Sequence, residues 1–109
     1  MPGAPYAFLS RSDADLLASG AGVIEHELLA EKAAALGRLG ARVEASLERL
    51  RVQGGAGVEA GVRQALLAEA ADAVWCFFVQ RELCGLKDQA AVIAQYNIPR
   101  EVLARLGAR

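Results

Sequence analysis

Apolar side chains return at helical intervals along the first half of the chain. Leu28, Leu36, Leu39, Val43, Leu47 and Leu50 recur in steps of three, four or eight and form one stripe of an α-helix. Glu27, Glu31, Arg38, Arg42, Glu48 and Arg49 fall between them and point toward water. The pattern predicts a helix from Val23 to about Val52. Gly37 and Gly40 lie inside it, each costing about 1 kcal/mol relative to alanine. A glycine beside an apolar stripe marks a place where another helix can come close. The run Gln53-Gly54-Gly55-Ala56-Gly57 then breaks the periodicity as a flexible turn.

Val58 to about Cys84 reads as a second long helix, stopped by Gly85. Its apolar residues occupy more than one face. Val62, Leu66, Ala73, Phe77 and Cys84 mark one, Leu67, Val74 and Phe78 another, and Trp75 and Val79 a third. Between Ala70 and Val79 only Asp72 is charged. A helix apolar on every side has to be covered on every side.

The ends are shorter elements. Residues 1–10 read as an extended arm carrying Tyr6, Phe8 and Leu9. Ser12, Asp13 and Asp15 have the composition of a helix start, and Gly20 and Gly22 are expected to stop that helix after about two turns. Asp88 can cap a short helix reaching about Tyr96, Asn97-Ile98-Pro99 is a break, and Pro99 suits the first turn of a last helix through about Leu106.

Two long helices joined by a short glycine-rich loop predict an antiparallel hairpin, and the fold class is all-α. We divide the chain into an N-terminal arm with a short helix, residues 1–22, and one domain, residues 23–109, holding the hairpin and a C-terminal helical cap. The terminal helices are too short to cover all of the second long helix. The expected solution is a homodimer forming a four-helix bundle, with Leu67, Val74, Trp75, Phe78 and Val79 at the interface. A monomer wrapped more closely by its own ends is the alternative.

Composition narrows the chemistry. Of 109 residues, 54% are apolar and only 6% aromatic, and the formal charge is −1. That balance gives no general attraction to nucleic acid or to an anionic membrane. No secretory signal or membrane-length apolar run is visible, and the chain reads as cytoplasmic. Cys76 and Cys84, eight residues apart on one helix, are about 12 Å apart along its axis and should not bridge each other. They lack the spacing of a zinc or dithiol motif.

His26 is the only histidine, and no further ligand stands one turn away, so no metal site and no cofactor is expected. Glu69 and Asp72 lie one turn apart on the most apolar helix, a candidate buried polar pair. They could serve catalysis with raised pKa values, or pair structurally with arginines of the facing helix or a partner. The structural role is the better match, and no enzyme activity is expected.

Residues 88–106 resemble a helix-turn-helix, with Arg100 and Arg105 in the second helix. The usual small residue followed four positions later by glycine is missing, since Ile98 stands four after Ala94. A helical cap built on Val92, Ile93, Ile98, Val102 and Leu106 fits better than a DNA-binding regulator.

The stretch Trp75-Cys76-Phe77-Phe78-Val79-Gln80-Arg81-Glu82, followed by Tyr96-Asn97-Ile98-Pro99-Arg100-Glu101-Val102, resembles a small bacterial protein family with no assigned activity. The likeness extends over most of the chain after Gly22. It implies a compact helical protein and assigns no catalytic or binding residue. The expectation is a non-enzymatic module that self-associates and contacts another protein, without membrane or cofactor. The runner-up is the DNA-binding regulator.

Overall fold

The computed structural model describes residues 12–107, with side chains from residue 22. The arm with Tyr6, Phe8 and Leu9, and the capping side chains of Ser12, Asp13 and Asp15, lie outside the described residues. Four helices and no strand occur among those described: α1 (Ser12–Gln53), α2 (Ala60–Leu83), α3 (Gln89–Tyr96) and α4 (Arg100–Leu103).

The expected break at Gly20 and Gly22 does not occur, because α1 runs through both. Glycine raises the cost of a helix but removes no hydrogen-bond donor, and the surrounding alanines and leucines favour helix. Neither position is followed by a proline, the residue that would have forced a stop.

By compactness the chain divides into residues 1–34 and 35–109. In the first unit, the described side chains from residue 22 are all exposed, including Val23, Ile24, Leu28 and Leu29.

The second unit holds the core. Residues 35–53 of α1 and the whole of α2 form the expected antiparallel hairpin. Arg42 bonds Asp72, and Arg49 bonds Glu69 further toward the loop. Val43 and Leu50 meet Leu66, Leu67, Ala70, Ala71, Ala73, Val74, Phe77 and Phe78 of α2 in one cluster. Val92 of α3, Ile98 of the following turn and Val102 of α4 complete it. Ser46 is the buried polar residue of this core, and its hydroxyl donates to the Val43 carbonyl at 3.1 Å. That internal bond removes most of the cost of burying it.

Local signals set the element ends. Glu59 caps α2 by accepting from the Val62 amide at 3.1 Å. Gly85 takes φ +83°, letting Leu86 N–H reach the Arg81 carbonyl at 2.8 Å and close the last turn. Asp88 caps α3 through the Ala91 amide at 3.2 Å. Asn97 is left-handed at φ 54°, which turns the chain so that Pro99 can start α4.

Gly40 is a close-approach site of the kind expected. A β-carbon there would stand 2.8 Å from the Tyr96 hydroxyl and 3.6 Å from the Phe77 ring. Tyr96 in turn packs edge-on against Phe77, with ring centres 5.6 Å apart. The bare backbone at Gly40 is what lets α3 reach the hairpin. Gly37 has nothing within 4 Å of an added β-carbon.

Candidate functional site

The five expected interface residues separate into two groups. Leu67, Val74 and Phe78 are buried within their own chain. The expectation that local cover runs out therefore does not hold for these three. Residues 35–53 of α1 shield one side of α2, and the turn–α4 segment shields another through Ile98 and Val102. The short C-terminal elements cover more than their length implies because α4 packs against α2, with Val102 fully buried.

Trp75 and Val79 remain 40% exposed. They lie one turn apart, and Leu83, one turn further on, is 72% exposed. Leu86 extends the exposed apolar surface beyond the helix end. A groove of about 200 Å³ lies along this strip, lined by Trp75, Phe78, Val79, Glu82, Gln89 and Leu106. Its α2 residues sit at positions i, i+3, i+4 and i+7, the four-residue hole that receives a side chain in helix-on-helix packing. The hydrophobic pattern identified Trp75 and Val79. It did not single out Leu83, which falls where the polar end of the helix begins.

Glu69 and Asp72 are half-exposed rather than buried, with side chains 38% and 34% accessible. Each meets an arginine of α1. Arg42 donates to Asp72 at 2.7 Å, and Arg49 donates to Glu69 through Nε at 3.2 Å and through a terminal nitrogen. Asp72 and the neighbouring Cys76 thiol both stabilise the Arg42 cation, raising its pKa. The pair therefore serves as two rungs fixing the register of the hairpin. Exposed pairs of this kind contribute little each, enough to select a register and too little to hold the fold.

Cys76 and Cys84 are free thiols, both half-buried. Cys84 closes the end of α2, with the Gln80 amide 3.8 Å from its sulfur. His26 is exposed. Among the described residues no three of His, Cys, Asp and Glu gather as a metal site would require. No helix among them is long and apolar enough to cross a membrane.

A larger cavity, of about 460 Å³, opens where the end of α1, the glycine loop, the first turn of α2 and the α3–α4 turn converge. Its lining includes Leu47, Tyr96 and Pro99 together with two ion pairs. Arg51 bonds Glu48 one turn back on α1. Arg63 bonds Glu101 with both terminal nitrogens, at 3.1 and 2.7 Å. The adjacent guanidinium lowers the pKa of Glu48, and Arg63 does the same for Glu101. Nothing in the sequence announced this cavity, since Arg63 and Glu101 are 38 residues apart and meet only when α4 docks on α2.

The chain belongs to the DUF6665 family, a family of unknown function whose model matches residues 11–109. No curated protein and no solved structure matches it.

Proposed function

We propose that this member of the DUF6665 family is a non-enzymatic helical protein that self-associates through the outer strip of α2. The observation that carries this reading is the line of Trp75, Val79 and Leu83, three large apolar residues left open on successive turns, with a groove beside Trp75 and Val79. Exposed apolar patches on an otherwise well-covered core mark contact surfaces. A second copy supplies a matching surface by two-fold symmetry. The arginines held against Glu69 and Asp72 support the non-catalytic half of the proposal, because both carboxylates already have structural partners.

The helix-turn-helix alternative has less support. α4 is four residues long, about 6 Å, too short to read a major groove as a recognition helix does. Arg105 is bonded to Gln64, and Glu101 on α4 is bonded to Arg63.

Sedimentation of the full chain over a range of concentrations tests self-association. The expected result is a dimer at micromolar concentration that Val79→Glu converts to monomer with an unchanged helical circular dichroism spectrum. Val79 is open in the single chain, so the substitution should not unfold it. A wild-type chain that stays monomeric at about 100 μM, a concentration at which even contacts of roughly −6 kcal/mol are populated, overturns the proposal.

A further inference from the structure

The 460 Å³ cavity has a size typical of small-molecule sites and a mixed lining. Leu47, Tyr96 and Pro99 give it apolar walls. Its charged lining holds three carboxylates, Glu44, Glu48 and Glu101, against two guanidiniums, Arg51 and Arg63, so it carries one excess negative charge. Both arginines are already bonded to carboxylates, Arg51 to Glu48 and Arg63 to Glu101. Glu44 has no ion-pair partner among the described residues.

Glu44 also stands one turn before Glu48 on the same face of α1. Glu48 is already neutralised by Arg51, so the unbalanced charge of the lining sits on Glu44. An anionic ligand meets the opposite situation, because the charge of both guanidiniums is already balanced by Glu48 and Glu101.

We infer that this cavity binds a small organic cation, an ammonium or guanidinium on a short apolar stem, with Glu44 as its counter-ion and Leu47 and Tyr96 against the stem. The aromatic ring and leucine shelter the stem while the carboxylate holds the charged end at the open side. Specificity for a cation over an anion follows from the arginines being occupied, and specificity for a stem over a bare metal ion follows from the apolar walls.

Titration of the full chain with phenethylamine, followed by amide NMR shifts, tests the inference, with phenylacetate as the anionic counterpart. Phenethylamine should give saturable shifts grouped at Glu44, Leu47 and Asn97 at millimolar concentration, and phenylacetate should bind more weakly. Glu44→Gln, on an exposed helical position, should weaken phenethylamine binding about three- to fivefold, the size expected of one partly screened charge. Val79→Glu should bind it as the wild type does, so loss of the dimer and loss of this site register separately. No saturable shift, equal or tighter binding of phenylacetate, or unchanged affinity in Glu44→Gln would each sink the idea.

Discussion

Residues 22–34 and 35–53 belong to one helix and carry similar apolar patterns, yet they meet different fates. In the second segment Val43 and Leu50 are buried and Leu36, Leu39 and Leu47 pack against the core. In the first, Val23, Ile24, Leu28 and Leu29 all stay open. The difference lies in what faces them. The second segment has α2 and Tyr96 of α3 opposite it, and the described side chains of the first are exposed. An amphipathic pattern states a demand for cover; only a facing surface meets it.

Matched truncations break this comparison most directly. Leu50→Ala removes a side chain only 6% exposed and should cost about 2–5 kcal/mol, read from urea unfolding. A loss under about 1 kcal/mol would mean that the hairpin core is loosely packed.

A smaller effect belongs to the ion pair that ties α4 to α2. Glu101 has its pKa lowered by Arg63. A carboxylate with a lowered folded-state pKa contributes stability above its unfolded pKa and loses it as pH falls through the folded value. Wild-type stability should therefore fall in the acid range more steeply than that of Glu101→Gln, and the two curves should converge at low pH. At neutral pH the wild type should be only slightly the more stable of the two, as for other surface pairs. Parallel curves would show that the pair contributes nothing measurable.

The smallest expected change is the counterpart of the first. Leu28→Ala, at a position 53% exposed, should shift stability by less than about 0.5 kcal/mol. A loss near that of Leu50→Ala would show that a partner covers this segment in solution, which sharpens the contrast into a second association surface.

Much of the local architecture was legible from residue chemistry. Asp88, Gly85 and Pro99 mark ends that the structure respects, because caps and turns depend on neighbours a few residues away. The pairing of Glu69 and Asp72 with arginines of the facing helix was among the readings available before the fold. Gly20 and Gly22 do not stop α1, because the helix on both sides outweighs a glycine's local cost. Leu67, Val74 and Phe78 look uncovered in the sequence because helix lengths alone do not say that α4 packs against α2.

The amino-acid order by itself determined the helical class, the hairpin and most of its turns, since these follow from periodicity and from hydrogen bonds that close within one or two turns. Which side of α2 stays open, and the cavity where Arg63 meets Glu101, were decided only by the tertiary arrangement. Those features depend on contacts across dozens of residues, where periodicity carries no information about which surfaces will face each other.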